Sequence, residues 1–283
     1  MPAVAIALVL SAAVFHSAWN LVLKSEPRRL EASLLALGAA VVLCAPVLFV
    51  HPLGQVPVRA WLLVLRSGVF ETAYLFTLSA AYDVGDLSLV YPIARGIAPL
   101  VVTPFAVLVL GEPVSALGLA GVALVVAGIF ATHAGFLASA AAPGSRRAVA
   151  LAASTGVMIA GYSLVNKVGV QTVPVVLYAF FVLFVDLCLL AIALRLRGPL
   201  VWPGAGAPRW RAIAIGVLML GAYLAILTAM SLAPVSYVVA GREVSIVVTV
   251  LAGALVLGER HSPRRIAGAA VIFAGLVVLA FSR

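Results

Sequence analysis

The chain has 283 residues, of which 65% are apolar and only 10% are charged, with a mean hydropathy of +1.23. A soluble domain is about 45–50% apolar and about 25% charged, so this composition excludes a water-soluble globular protein. The formal net charge of +9 results from 18 Lys and Arg against 9 Asp and Glu, and the basic residues are spread over short connecting segments and a few spans, which excludes a basic nucleic-acid-binding arm. Long Ala/Leu/Val runs, in place of the alternating segments of a β-barrel, predict an all-α membrane protein.

Charges and clusters of Pro or Gly divide the chain into ten predicted transmembrane helices. The first is interpreted as an uncleaved helix and not a signal peptide, because it lacks a basic start and continues to Lys24. The break at Ala233-Pro234 separates the eighth helix from the ninth within a stretch too long for one crossing. The predicted spans are approximately residues 3–23, 31–50, 61–82, 86–110, 114–135, 147–169, 173–196, 209–231, 234–257 and 264–281.

Residue types that carry redox, metal or enzymatic chemistry are sparse. The two cysteines, Cys44 and Cys188, lie in apolar runs, which excludes a disulfide framework. The four histidines are scattered, and the sequence has no metal-protease motif, no serine-hydrolase elbow and no glycine-rich phosphate loop. We therefore expect no metal, no cofactor and no enzymatic activity.

An internal repeat is the strongest pattern in the sequence. The pentapeptide Leu108–Glu112 recurs unchanged as Leu255–Glu259, 147 residues later, and Arg95 aligns with Arg242 at the same offset. The repeat predicts two copies of a five-helix unit. Because five is an odd number, the second copy must enter the membrane from the opposite side, which predicts inverted repeats.

The chain has two Leu-Gly-Glu turns, each followed by a helix with regularly spaced glycines, and a first helix with Trp19-Asn20 and Lys24. In these features it resembles the drug/metabolite transporter superfamily, in its ten-helix EamA-type branch. The resemblance covers essentially the whole chain and implies two EamA-type five-helix repeats, in residues 1–140 and 141–283. It also implies a multi-pass transporter of the plasma (inner) membrane, with a small-molecule substrate and the lipid bilayer as partners. The oligomeric state stays open, and a monomer is one expectation.

The Gly-Glu turns themselves are interpreted as structural. Gly111 can adopt the left-handed conformation that ends a helix, and Glu112 is predicted to interact with the dipole of the helix that follows. The glycines after each turn recur at helical spacing, which predicts close approach between helices. These glycines are Gly118, Gly121, Gly128, Gly268 and Gly275.

Two arginines related by the repeat are predicted near the middle of the membrane. Arg95 and Arg242 each cost about 2.5–3.5 kcal/mol to place at a helix centre, which favours a functional role. A guanidinium group can hold a carboxylate or phosphate through two parallel hydrogen bonds, so the pair predicts an anionic or zwitterionic substrate. The structural alternative is that Glu71 and Glu243 form ion pairs with both arginines. The sequence reveals no partner for Asp186.

Aromatic and amide side chains at helical spacing are predicted to line the same cavity. His16, Trp19 and Asn20 share one face of the first helix. Glu71 and His16 are the candidates for proton coupling, because a carboxyl group and an imidazole can each take up and release a proton. Single tyrosines such as Tyr178 are interpreted as interfacial anchors. The substrate-binding candidates from the other helices are Tyr74, Tyr91, Tyr162, Asn166 and Tyr223.

These features together predict a secondary active transporter that works by alternating access, driven by a gradient of substrate or protons because no ATP-binding segment is present. The alternatives are a lipid flippase-like protein and, less favoured, a membrane enzyme. A lipid-handling protein would open its polar groove sideways to the bilayer, whereas the matched arginines favour a closed central site.

Membrane orientation has two opposing indications. Twelve Lys and Arg residues fall in odd-numbered connections, against Arg59 and Lys167 in even-numbered ones, which by the positive-inside rule places both termini outside the cytoplasm. Resemblance to EamA-type transporters implies that both termini are cytoplasmic. Both indications require the two termini to share a side.

Overall fold

The computed structural model describes residues 1–24, 29–51, 56–133, 144–198, 209–255 and 262–282, which form ten helices and no strand. The first five helices are α1 (Ala3–Lys24), α2 (Arg29–Cys44, extended by Val47–Val50), α3 (Val58–Val84), α4 (Leu87–Leu108) and α5 (Ala116–Ala131). The second five are α6 (Arg146–Gly169), α7 (Val175–Arg197), α8 (Arg209–Leu232), α9 and α10 (Pro263–Phe281). Helix α9 consists of two segments, α9a (Val235–Arg242) and α9b (Val244–Leu255).

Eight of the ten described helices are long and apolar enough to cross a membrane. The other two are α5, with 16 residues, and α9, which is broken at Glu243. At 1.5 Å per residue α5 is roughly 24 Å long, shorter than the ~30 Å core of a bilayer. The predicted span 234–257 is not continuous, because the backbone tightens where the Glu243 N–H donates to the Ala240 carbonyl oxygen at 3.1 Å.

Helix packing follows the two-fold relationship that inverted repeats predict. The pair α3–α6 is matched by α8–α1, the pair α4–α6 by α9–α1, and the pair α2–α8 by α7–α3. Three further pairs are their own partners in this relationship: α2–α7, α4–α9 and α5–α10. Each repeat therefore packs largely against the other.

The close approach of α5 and α10 depends on glycines. A Cβ atom on Gly128 would lie 2.7 Å from the backbone nitrogen of Ile272, and one on Gly268 would lie 2.5 Å from the backbone nitrogen of Thr132. Real Cβ atoms do not approach backbone atoms so closely, so a side chain at either position would force the helices apart. The predicted packing role of these two glycines is confirmed.

The turn after α4 confirms the prediction for its glycine and corrects the one for its glutamate. Gly111 ends α4 with a φ of +64°. The start of α5 is capped by the hydroxyl of Ser115, which accepts a backbone N–H of the first turn at 3.2 Å. Glu112 instead accepts the N–H of Val235, with its two oxygens at 3.0 and 2.8 Å, at the first residue of α9a. Glu259, its repeat equivalent, lies outside the described residues.

Both ends of the chain lie at the same face of the protein. The Met1 ammonium group donates to the carbonyl oxygens of Ala280 and Ser282, at 3.3 and 2.8 Å. We name this the terminal face and the other the distal face. Odd-numbered helices run from the terminal to the distal face and even-numbered helices return. The α4–α5 and α8–α9 turns therefore both lie at the terminal face.

Candidate functional site

Three ionisable side chains form a cluster where α4 meets the break in α9. Glu243 is fully buried, and its Oε1 lies 3.2 Å from Arg95 Nη1 and 3.7 Å from Arg242 Nε. One carboxylate is therefore shared by two guanidinium groups, one from each repeat. In its ionised form the cluster carries one more positive charge than negative charge.

Local sequence explains why both helices are irregular at this point. In α4, Arg95 lies between Pro92 and Pro99, and each proline removes a backbone donor from the helix. Kinks in helices arise at such positions. In α9, Arg242 is the last residue of α9a and Glu243 forms the tight turn before α9b. The charged groups thus lie where the helical hydrogen-bonding of both helices is interrupted.

The two arginines differ in how many of their donors are used. Arg95 donates from Nη1 to Glu243, and its Nη2 lies 2.9 Å from Nε2 of His16. A guanidinium group only donates, so this His16 nitrogen accepts and carries no proton. Arg242 donates from Nη1 to the Tyr162 hydroxyl at 3.0 Å, whereas its Nε and Nη2 are buried without a hydrogen-bond partner among the described residues. Nε and Nη2 together form the edge that can hold a carboxylate or phosphate side-on.

Aromatic rings enclose the two guanidinium groups. The Arg95 Cζ lies 5.4 Å from the centroid of the Tyr91 ring, and the Arg242 Cζ lies 6.0 Å from that of Tyr162. The Tyr74 ring packs edge-on against the Tyr162 ring, with centroids 6.1 Å apart. Tyrosines predicted from α3, α4 and α6 are therefore brought together with the repeat-related arginines.

The predicted polar face of α1 reaches this cluster only in part. His16 contacts Arg95 and packs edge-on against the Trp19 ring, with centroids 5.0 Å apart. Asn20 is exposed, and its Nδ2 donates to the His16 carbonyl oxygen of its own helix at 2.7 Å. Two of the three candidates thus adjoin the arginines, and Asn20 lies one turn further toward the distal face.

A second polar cluster joins α3, α6 and α8. Oε1 of Glu71 accepts from the Tyr223 hydroxyl at 2.8 Å, from Asn166 Nδ2 at 3.2 Å and from the Ser67 hydroxyl at 3.2 Å. All three hydrogen bonds reach the same carboxylate oxygen. Asn166 is itself buried, so its amide positions Glu71 and Tyr223 and does not form part of the accessible lining.

This arrangement bears on the structural alternative for the arginines. Glu243 does pair with Arg95, as that alternative predicts. Glu71, in contrast, forms no ion pair within 4 Å with either arginine in the part of the chain that is described, so the two guanidinium groups are not both neutralised. Across the same described ranges, no group of three or more His, Cys, Asp or Glu side chains could hold a metal ion.

Two buried groups near Glu71 were missed or misinterpreted from the sequence. Tyr178 is fully buried and its hydroxyl donates to Asn166 Oδ1 at 3.0 Å, so its interpretation as an interfacial anchor is wrong. Asp186 does have a partner, because its Oδ1 accepts from the Thr72 hydroxyl at 2.6 Å. Neither contact leaves a signal in the repeat, since both depend on how packed helices rotate against each other.

The burial of side chains near the site differs between the two faces of the protein. Accessible residues continue along α3 from 73 to 80, toward the distal face, whereas every residue of α9a is buried. Around the site, the side chains are thus more accessible toward the distal face than toward the terminal face. The interior side chains that remain partly accessible are His16, Trp19, Glu71, Tyr74, Tyr91, Tyr162 and Tyr223.

Comparison with known proteins agrees with this architecture. The EamA-like transporter family matches residues 3–133 and again residues 146–281, so two copies of the family pattern cover almost the whole chain. A solved crystal structure of a protein shares 20% sequence identity and superposes with a TM-score of 0.78, over 97% of this chain and 96% of the other, which supports the fold. A comparison with curated proteins finds no significant match. The chain belongs to the EamA-like transporter family, within the drug/metabolite transporter superfamily, and is a multi-pass membrane transporter.

Proposed function

We propose that the protein is a secondary active transporter that moves a small anionic or zwitterionic metabolite across the plasma (inner) membrane by alternating access. The observation that carries this proposal is the excess positive charge of the central cluster, where Arg95 and Arg242 share the single carboxylate of Glu243. Buried donors without partners cost about 1–3 kcal/mol each, and Arg242 has two of them. A carboxylate or phosphate group of the substrate would satisfy these donors.

The surrounding side chains suit the remainder of such a substrate. The aromatic rings offer apolar faces, and the tyrosines also offer hydroxyl groups. These rings lie inside the protein and are partly accessible, which supports their contact with a molecule in the cavity. In this proposal Asn166 acts by holding Glu71 and Tyr223, and Asn20 acts from the mouth of the cavity. The proposed substrate-binding residues are His16, Trp19, Asn20, Tyr74, Tyr91, Arg95, Tyr162, Tyr223 and Arg242, and Asn166 is the predicted candidate to which this proposal gives a positioning role.

Two features support alternating access. The repeats pack against each other in matched pairs, and the side chains around the site are more accessible toward the distal face than toward the terminal face. For energy coupling, the candidates remain Glu71 and His16. A proton on His16 Nε2 would remove the acceptor that now faces Arg95, which would link proton uptake directly to the binding site.

Uptake into proteoliposomes tests the proposal. Purified protein should accumulate at least one compound from a panel of labelled carboxylates, phosphate esters and amino acids. R95Q and R242Q should lose this uptake, whereas R66Q should retain it, because Arg66 is an exposed arginine of α3. The lipid flippase alternative predicts movement of labelled phospholipid with no uptake of any water-soluble compound, and that result would overturn the proposal.

A further inference from the structure

A buried ion pair joins the two repeats at the terminal face. Lys167, in the last turn of α6, donates from Nζ to the carbonyl oxygens of Met230 and Ala233, at 2.7 and 2.8 Å, and lies 3.2 Å from Glu112 Oε1. Glu112 in turn accepts the Val235 N–H. All three ammonium protons therefore have acceptors, and Lys167 is not the free loop charge that the sequence suggested.

This ion pair completes the ends of two helices. The last carbonyl groups of α8 and the first N–H groups of α9 have no partners within their own helices. Lys167 satisfies the carbonyl groups and Glu112 satisfies an N–H group, each with the charge that favours that helix end. Glu112 belongs to the first repeat, and the partners of its carboxylate among the described residues belong to the second. The contact is thus a junction between the repeats and also ties down the α8–α9 turn.

A second contact lies beside the first. The Tyr237 hydroxyl, on α9a, accepts the Ser115 N–H at 3.0 Å, which ties the start of α5 to the other repeat. Between these contacts and the arginines, fully buried apolar side chains of both repeats fill the interior, with Val102 of α4 and Val239 of α9a among them. The polar contacts between the repeats therefore lie at the terminal face, and a layer of buried apolar side chains separates them from the arginines.

We propose that the Glu112–Lys167 ion pair and the adjoining Ser115–Tyr237 contact together form a latch that closes the cavity on the terminal face and must break in every transport cycle. Opening on that face requires the repeats to separate there, and Glu112 is then pulled away from Lys167 and Val235. The ammonium group keeps both carbonyl oxygens, that of Met230 in α8 and that of Ala233 just after it, because these residues and Lys167 all belong to the second repeat. Opening therefore exchanges the bonds of Glu112 and the Ser115–Tyr237 hydrogen bond for bonds to water, which makes the latch reversible. This inference rests on the alternating-access part of the proposed function and not on the identity of the substrate.

The test measures how fast a cysteine behind the latch reacts. Val239 is fully buried and lies one turn before Arg242, so V239C, in a chain with C44A and C188A, reports access from the terminal face. The reagent is a water-soluble maleimide, applied to protein purified in detergent. E112Q keeps an oxygen for the Val235 N–H and loses the charge, whereas K167M removes the ammonium group.

We expect V239C to react about tenfold faster in E112Q and in K167M than in the parent, because loss of one hydrogen bond to a charged group changes a closing equilibrium by about that factor or more. The matched control is E31Q, which removes a partly exposed glutamate at the start of α2 and should leave the rate unchanged. Equal V239C rates in the parent and in both latch variants would overturn the proposal.

Two further variants, N20C and Y237F, distinguish opening of the latch from unfolding of the protein. N20C, at the exposed mouth of the cavity, should react at its parent rate in latch variants that are folded. If both latch variants unfold, Y237F decides the question, because it removes only the neutral hydrogen bonds with Ser115 and keeps the ring. An increased V239C rate in Y237F supports the latch, and an unchanged rate overturns it. No substrate enters the measurement, so failure of the latch and failure of the proposed transport activity are distinguishable.

Discussion

Replacement of Glu243 by glutamine tests the physical basis of the central cluster. The change keeps the size of the side chain and removes the negative charge between Arg95 and Arg242. At separations of 3.2 and 3.7 Å and an effective dielectric constant of about 20, each charge pair contributes on the order of 4–5 kcal/mol of attraction. Part of this attraction offsets the desolvation of the ions. Removal of one partner from a buried pair costs about 3–5 kcal/mol, and we expect E243Q to lower the free energy of unfolding by that amount.

Thermal unfolding of the purified protein in detergent measures this effect. For a chain of this size about 1 kcal/mol corresponds to roughly 2–4 °C, so the Tm of E243Q should fall by roughly 6–20 °C. The double variant R95Q/E243Q restores the original charge excess and should be less destabilised than the sum of its single variants by about 1.5 kcal/mol or more. The control R66Q should stay within about 0.5 kcal/mol of the parent. A Tm of E243Q equal to that of the parent, or strict additivity in the double variant, would refute the reasoning.

Three further predictions concern coupling, packing and orientation. E71Q keeps an oxygen that can accept the three hydrogen bonds from neutral donors, so the variant should fold and still allow downhill uptake. If Glu71 carries the coupling proton, E71Q should lose accumulation of substrate driven by a pH gradient. Accumulation with the pH dependence of the parent would exclude that role. G268A should lower the free energy of unfolding by about 1–3 kcal/mol, because its Cβ would lie 2.5 Å from the backbone nitrogen that follows α5. G38A, with no atom within 4 Å of the new Cβ, should be neutral or stabilising by up to about 1 kcal/mol, and equal effects of the two substitutions would contradict the packing argument. The charge count predicts that a C-terminal reporter active only in the cytoplasm stays silent, and reporter activity would favour the cytoplasmic orientation that the family implies.

Several features of this protein could be predicted from the sequence because they depend on composition and spacing alone. The apolar runs predict helices, and the identity between Leu108–Glu112 and Leu255–Glu259 predicts two repeats. The same offset pairs Arg95 with Arg242, which the structure brings together on one carboxylate. Features that both repeats carry are thus recoverable without a structure, since symmetry relates their positions in space.

Other features depend on how helices rotate and tilt against distant partners, which periodicity does not specify. Glu112 was expected to interact with the dipole of the helix that follows it, whereas the partners of its carboxylate lie in α6 and α9a. Lys167 was counted as a loop charge, although it is buried among backbone carbonyl groups. The neutral donors around Glu71 and the burial of Tyr178 likewise arise from contacts across helices. The break at Glu243 has no proline or glycine at that residue to announce it.

The most direct test of the central claim compares a compound identified by uptake with its neutral analogue, in which the anionic group is converted to an ester or amide. Binding is measured as ligand-induced stabilisation in the parent, R95Q, R242Q and the exposed control R66Q. We expect the anionic compound to bind the parent and R66Q at least about tenfold more tightly than R95Q or R242Q, and the neutral analogue to bind all four weakly. Equal affinity of the parent for the anionic compound and its neutral analogue, or unchanged affinity in both R95Q and R242Q, would contradict the claim that the arginine pair holds an anionic group.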